Sequence, residues 1–542
     1  MRSRLVAPQT VFDMLVDRAR QTPGAIAMSL AGGGKFVRYA ELLQRAEAVA
    51  AGLEGLGLTR GDALATWLPN SIEWVVLEFA AARLGVLVVA LNPRYKVREI
   101  GHLLGVSQAR VLVMCERNHD IDYGSMLDLA LAQSGAAALE RVVLVGDRAD
   151  GWQPAAGLPV TSYAGLEASP PSGASPTGRP EDVVNVFGTS GTTSFPKLAG
   201  HSQQAVVQHA YDAAAALEYG AGEVLLAFLP FCGAYGFIAL TSVLAVSGRA
   251  VILPVYSVDA AIDSIENDGI TSMFALEAVF RDLFASPRAQ PGALASWRKG
   301  CIAGLTADSV VAWAEAEFGV RLTNLYGSSE LFALMACWPP SDPVKTRSVA
   351  GGRMVSVGMQ ARAVDPVSRA VLPEGEYGEL EFSGYNVTSG YLANPRANEA
   401  AFSDDGWYRS GDHGAVLEGG RALHYVARLA DTLRLRGYLV SPTEIEDLIL
   451  THGSVSDVQV VGIPRGETGE ERAIAFVRHD NPPLDLESQI RDHCRARAAS
   501  WKVPDAVIAI KEFPTTPGAN GDKIQKSRLR EMAIEHIAGL LR

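Results

Sequence analysis

Phe187–His201 reads FGTSGTTSFPKLAGH. An apolar run, VVNVF, leads into it, and a helix-like QQAVVQHAYDAAAAL follows. A Gly/Ser/Thr-rich loop between a strand and a helix is where backbone N–H groups and hydroxyls can converge on an anion. Thr189, Ser190, Thr192 and Thr193 supply hydroxyls, Gly188 and Gly191 admit a close backbone approach, and Lys197 adds a positive charge. The pattern GxxxxGK[ST] is absent, so this is not a Walker-type loop. An ordinary flexible turn accounts for the same residues about equally well, so the surrounding chain must decide.

Before the loop, GDALATWLP (61–69) reads as a strand and NSIEWVVLEFAAARLG (70–85) as a helix capped at Asn70 or Ser71. VLVVALNP (86–93), ARVLVMC (109–115) and ERVVLVG (140–146) read as further strands. Alternation of this kind predicts a largely parallel sheet covered by helices. After the loop, EVLLAFLPF, AVILPV, SMFALE and RLTNLYG repeat the pattern. Residues 10–60 read as helical in two stretches, QTVFDMLVDRARQTPG and then YAELLQRAEAVAAGLEGLGL, 165–180 as an exposed Pro/Gly/Ser-rich connection, and 372–416 as turns and alternating strands. The last hundred or so residues suffice for a small α+β domain.

Composition narrows the function. The chain has 542 residues, too many for one core, and a net charge of −12, which argues against nucleic-acid or anionic-membrane partners. Its five cysteines are scattered without a CxxC, predicting a reducing cytoplasm with neither disulfides nor a zinc site. The N-terminal stretch does not read as a signal peptide. Trp74–Leu91, the most apolar region, is broken by Glu78 and Arg83 and reads as a buried helix and strand, with no transmembrane segment.

Four further motifs carry candidate chemistry. In NLYGSSE (324–330), Glu330 is a hard-oxygen Mg²⁺ ligand, Ser329 a phosphate donor and Tyr326 a stacking partner for a base. WYRSGDHG (407–414) puts Asp412 in a tight turn, where a carboxylate can take both ribose hydroxyls. YVARLADTLRLRGYLVSPTEIE (425–446) alternates Arg with apolar residues, has a central Gly437, and starts a helix at Ser441-Pro442 with Glu444 in its first turn. EFPTTPGANGDKIQKSRLRE (512–531) is a mobile Gly-rich loop that could deliver Lys523 to a distant site. Each has a bland reading when taken alone: a strand-end turn, an Asp in a β-turn, a solvated strand face, a basic tail.

In combination and order, these motifs resemble the AMP-forming acyl-CoA synthetase, luciferase and peptide-synthetase adenylation superfamily, over nearly the whole chain. PKLAGHS, with His201 four residues after Lys197, is most similar to the acyl-CoA synthetase branch. The resemblance implies an α/β fold: a large N-terminal domain of two sheet-and-helix subdomains plus a β-rich subdomain, hinged to a small α+β C-terminal domain. Here the domains would be 1–430 and 431–542, with the hinge near Arg428–Asp431. It also implies two half-reactions, using ATP, Mg²⁺ and coenzyme A: a carboxylic acid becomes acyl-AMP with release of pyrophosphate, and a thiol then takes the acyl group.

By the same resemblance, Thr189, Ser190, Gly191, Thr192, Thr193 and Lys197 hold the β- and γ-phosphates. Ser329 contacts the α-phosphate, Glu330 holds Mg²⁺, Tyr326, Gly327 and Gly304 sit beside adenine, and Asp412 and Arg428 bind ribose. Lys523 bridges the carboxylate and the α-phosphate during adenylation, after which rotation brings the Gly437 loop to the pantetheine tunnel. Phe231, Cys232, Tyr235, Gly236 and Gly304 would line the acyl pocket. In LPFCGAYGF (229–237), Cys232-Gly233-Ala234 stand where many relatives carry a His; a roomier pocket for a bulky or branched acid and small residues packing a turn fit equally. Ser194 and Leu198 stand where the family usually has Gly, Ala430 occupies a hinge position where Asp or Lys is common, and the longer final loop makes Lys526 a second candidate. A ligase loading a carrier protein and a non-catalytic adenylate binder are the alternatives; a homodimer is a frequent family form.

Overall fold

The computed structural model describes the chain apart from residues 1–8, 120, 135–137, 147–151, 190–195, 306, 436, 437, 466–470, 499, 519, 520, 541 and 542. It forms two compact units: Met1–Ala361 with Phe382–Tyr408 and Arg421–Leu423, and Arg362–Glu381 with Arg409–Gly420 and His424–Arg542.

In the first unit a seven-stranded sheet runs Lys197–Ser202, Val183–Thr189, Leu87–Ala90, Ala63–Trp67, Val111–Met114, Arg141–Leu144, Val160–Ser162. All neighbours are parallel except the first pair, a hairpin at the edge. The helix Ile72–Leu84 shows why the alternation folds this way. Ser71 caps it by accepting from the Trp74 N–H, and Gly85, at φ 72°, closes it in the left-handed conformation that glycine adopts without strain. Every residue of that helix except Glu73 is buried, Glu78 and Arg83 included. The second parallel sheet runs Arg321–Tyr326, Lys299–Ala303, Ser272–Leu276, Val224–Ala227, Arg249–Ile252, Ile26–Leu30. Its helix Ala234–Ala245 is buried throughout.

The two helical stretches expected within residues 10–60 are present. Helices Val11–Gln21 and Tyr39–Gly55 are separated by antiparallel strands Ile26–Leu30 and Phe36–Arg38. The apolar segment 26–30 pairs in parallel with Arg249–Ile252, and this distant partner sets its conformation. Part of the 165–180 connection is likewise helical: Tyr163–Glu167 is a short helix capped by Ser162.

The second unit holds most of a meander, Gln360–Val364, Tyr377–Ser383, Tyr408–Leu417, Ala422–Arg428, hydrogen-bonded in that order. Asp412 lies within the strand Tyr408–Leu417, which corrects the expected tight turn. Gly411, at φ 69°, kinks that strand, so a turn-like GD pair is accommodated without ending it. Residues 442–510 form a three-stranded sheet, Val458–Pro464, Glu471–Arg478, Ala506–Ile510, with helices Pro442–Leu450 and Leu486–Arg495. Ser441 and Glu444 form the capping box of the first helix. The expected Gly-rich loop is instead largely a hairpin, in which Thr515–Gly518 pairs antiparallel with Gly521–Ile524.

Candidate active site

The hairpin at the edge of the seven-stranded sheet holds the ends of the quoted loop together: Thr189 pairs directly with Lys197. Ser190, Gly191, Thr192 and Thr193 lie outside the described residues, as does Gly437. Leu198, at the family's usual Gly position, is 1% exposed and packs in the core beside that sheet, opposite Gly188. Burial of an apolar side chain accounts for it there.

Lys197 Nζ lies 4.3 Å from the ring centroid of Tyr391. The Tyr391 hydroxyl donates to Glu330 Oε1 at 2.9 Å. One aromatic ring therefore links the cation of the loop to the carboxylate after the strand Arg321–Tyr326, as a cation–π contact and a charge-assisted hydrogen bond. The sequence reading missed Tyr391. Its only local signal is an aromatic residue after Ser-Gly in SGYLANP, 61 residues from its partner.

Glu330 stands on a single 3₁₀ turn, Ser329–Leu331, followed by Phe332 at φ 55° and Ala333 at φ 65°. Two successive non-glycine residues in the left-handed region cost about 1 kcal/mol or more each. The turn is tight enough that a Cβ on Gly327 would meet the Ala333 carbonyl oxygen at 1.2 Å, so only glycine fits. His201 Nε2 is 2.8 Å from the Ser329 carbonyl oxygen and His209 Nε2 is 3.1 Å from that of Phe332. Burial pushes the pKa of His201 down to about 4 and of His209 down to about 3, so both rings are neutral at physiological pH. Tyr326, 4% exposed, stacks on Phe382 at 5.4 Å. Asn324 Nδ2 donates to the Gly304 and Ser348 carbonyls, and a Cβ on Gly304 would meet the Glu277 side chain at 2.5 Å.

The expected acyl-pocket residues sit in dense packing. Phe231, 1% exposed, lies 5.6 Å from the Trp74 ring, and its N–H is held by Asn70. The Tyr235 hydroxyl donates to the carbonyls of Ala275 and Cys301. Gly236 faces the carbonyl of Pro230, which a Cβ would approach to 2.3 Å. Burial pushes the Cys232 thiol up to about 12, which leaves it protonated and a poor nucleophile.

In the second unit, Asp412 and Arg428 form an ion pair, Oδ1 to Nε at 3.1 Å, and Arg428 Nη1 donates to the Ser410 carbonyl. Asp412 is 4% exposed while the Arg428 side chain is half-exposed. Asp431 of the expected hinge is paired with Arg530 at 2.8 Å. Lys523 stands opposite Thr516 in the hairpin; its side chain lies outside the described residues. Lys526 is drawn to Glu446 at 3.7 Å, which engages the second candidate cation.

Among the described residues no group of three or more His, Cys, Asp or Glu could hold a metal ion. Glu330 fits a hard divalent cation of the Mg²⁺ type, which uses one or two protein carboxylates with substrate phosphates and water. None of the described helices is long and apolar enough to cross a membrane. All five cysteines are free.

The fold and these motifs define an adenylate-forming class, and the chain belongs to the AMP-binding enzyme family. The family's profile matches residues 15–392, and that of the AMP-binding enzyme C-terminal domain matches residues 444–519. A mitochondrial medium-chain acyl-CoA ligase of Danio rerio is 28% identical, over 97% of this chain and 89% of that protein. A salicyl-AMP ligase / salicyl-S-ArCP synthetase of Mycobacterium tuberculosis is 29% identical, over 97% of this chain and 91% of that protein. The ATP-bound crystal structure of MatB from Rhodopseudomonas palustris shares the fold: TM-score 0.82, 24% identity, 96% of this chain and 98% of that one. The expected fold class, a large N-terminal α/β part of several sheets with a smaller C-terminal domain, is that of these solved structures.

Proposed function

We propose that this chain is an AMP-forming acid–CoA ligase acting on a hydrophobic carboxylic acid, bulky acids included. The observation that carries the reading is the Lys197–Tyr391–Glu330 cluster at the mouth of the loop hairpin. It links a cation and a carboxylate through one ring, next to Thr189, which supports the binding of polyphosphate with a divalent cation. The medium-chain acyl-CoA ligase relative supports the acid–CoA assignment.

In the first half-reaction a carboxylate oxygen attacks the α-phosphorus of ATP, and the bond to pyrophosphate breaks. In the second, the thiol of coenzyme A attacks the acyl carbonyl, loses its proton and expels AMP. Such chemistry asks the protein for positioning and charge neutralisation rather than covalent help. Lys197 and the hydroxyls of Thr189–Thr193 hold the phosphates, Ser329 the α-phosphate, and Asp412 with Arg428 the ribose. Glu330 would hold Mg²⁺, which supplies charge neutralisation on the phosphates. Residues 431–542 act as a mobile domain that exchanges Lys523 for the Gly437 loop between the two steps. The free cysteines and acidic composition favour a cytoplasmic enzyme without nucleic-acid partners.

The test is pyrophosphate release over a panel of fatty, aryl and polycyclic acids, followed by thioester assays with coenzyme A and with holo carrier protein. Release with at least one acid and transfer to coenzyme A is expected. No release with any acid would leave a non-catalytic binder. Transfer to carrier protein alone would favour the second reading, a carrier-loading ligase, which the salicyl-S-ArCP synthetase relative raises.

Tyr391→Phe removes one hydrogen bond to Glu330 and keeps the ring over Lys197. It should raise the Mg²⁺ concentration for half-maximal rate several-fold, corresponding to about 1 kcal/mol. Initial rates against free Mg²⁺ measure it; an unchanged Mg²⁺ dependence would mean that Tyr391 does not orient Glu330.

A further inference from the structure

Four consecutive carbonyls of the turn that carries Glu330 are each held from a distant segment. Ser329 O faces His201 Nε2 at 2.8 Å, Glu330 O accepts from the Thr388 N–H at 2.7 Å, Leu331 O accepts from Asn386 Nδ2 at 2.8 Å, and Phe332 O faces His209 Nε2 at 3.1 Å. The turn needs such restraint, because Phe332 and Ala333 follow one another in the left-handed region.

Both imidazoles also pack against the Phe332 ring, with centroids 4.7 Å away for His201 and 5.1 Å for His209. Both are essentially unexposed, at 1% and 0%. The Nδ1 atom of each is buried without a hydrogen-bond partner. Burying an unpaired nitrogen is unfavourable, and phenylalanine would fill the same space without that penalty. What phenylalanine lacks is the Nε2–H donor. A carbonyl oxygen only accepts, so each ring carries its proton on Nε2.

We propose that His201 and His209 are positioning residues whose Nε2–H groups lock the strained Ser329–Ala333 turn, so that the Glu330 carboxylate is held ready for the metal–nucleotide complex. They act through the turn and touch no substrate. The inference rests on the proposed nucleotide-binding function and adds to it the device that fixes the metal-binding carboxylate. Glu330 is then held at both ends, by Thr388 on its backbone and Tyr391 on its side chain, within a turn whose flanking carbonyls the histidines tie down.

The experiment measures ATP binding to the full chain by calorimetry, with Mg²⁺ and with EDTA, for the parent, His209→Phe and His209→Gln. Phenylalanine keeps the ring and loses the donor; the glutamine amide can place its nitrogen near the position of the imidazole Nε2. The parent should bind ATP more tightly with Mg²⁺. His209→Phe should lose about tenfold or more of that Mg²⁺-dependent gain, with its EDTA affinity unchanged, and His209→Gln should restore most of it. Equal Mg²⁺-dependent gains in parent and His209→Phe would overturn the proposal. So would equal losses in the Phe and Gln variants, because ring packing and not the donor would then matter. A parent that binds no ATP would instead remove the proposed function, and this inference with it. Should His209→Phe fail to fold, the ¹⁵N spectrum of the parent's histidines decides: two Nε2–H tautomers support the lock, and an Nδ1–H tautomer at either ring overturns it.

Discussion

Lys523→Ala is expected to abolish acyl-AMP formation while leaving thioester formation from supplied acyl-AMP largely intact. The adenylation step develops negative charge between two anions, the attacking carboxylate and the α-phosphate, and a single ammonium there is worth roughly 4 kcal/mol at the transition state, about a thousandfold in rate. The second half-reaction has a neutral thioester product and an AMP leaving group, and on the proposed domain exchange Lys523 has left the site by then. Pyrophosphate release and acyl-AMP consumption, assayed separately, measure the two steps. If both fall together, the assignment of Lys523 to one step is wrong. Lys526, in its ion pair with Glu446, is not expected to rescue the first.

Glu78→Gln is expected to stabilise the protein, and by an amount that grows with pH. Glu78 is fully enclosed, and burial raises its pKa to about 8 against the donation it receives from Asn185. In the unfolded chain it ionises near its ordinary value of 4.5. Between these values the native state holds a proton that the unfolded state has lost, so stability falls as pH rises from the lower value to the higher one. At pH 7 this amounts to about 3 kcal/mol. Glutamine has no proton to lose and keeps an acceptor for the Asn185 amide. It also brings an N–H₂ donor, and the Asn185 carbonyl oxygen is buried with no partner. Denaturation midpoints of the parent and variant from pH 4.5 to 8 measure the effect. A gain that does not change with pH would refute the account.

The legible part of the fold was its local part. Ser71 with the apolar run after it, the Ser441-Pro442 helix start with Glu444, and the strands at 63–67, 87–90 and 111–114 are carried by neighbouring residues. Ile26–Leu30 was not read as a strand, because the partner that sets its conformation, Arg249–Ile252, lies more than 200 residues away. Asp412 was misread because Gly411 permits a kink inside a strand as readily as a turn that ends one. In the site, Glu330 and Lys197 were legible as charged groups beside turn residues. Tyr391, Asn386 and Thr388 were not, since a neutral side chain in a loop carries no sign of the carboxylate or carbonyl it will meet.

The sequence by itself determined the chemistry on offer: a loop rich in glycine and hydroxyl residues, a carboxylate after a strand, a lysine-bearing segment near the end, and the order that ties them to one family. Residue types that are covalent neighbours keep their meaning whatever the rest of the chain does. Only the tertiary structure decided how the carboxylate is held. Its partner Tyr391 lies 61 residues from Glu330, and His201 and His209, which meet the turn's carbonyls, lie 128 residues from Ser329 and 123 from Phe332. No periodicity encodes such meetings. They arise when the strand Lys197–Ser202, the helix Gln203–Ala216 and the segment around Tyr391 pack about the turn after Tyr326, and burial then makes every unpaired carbonyl there seek a donor.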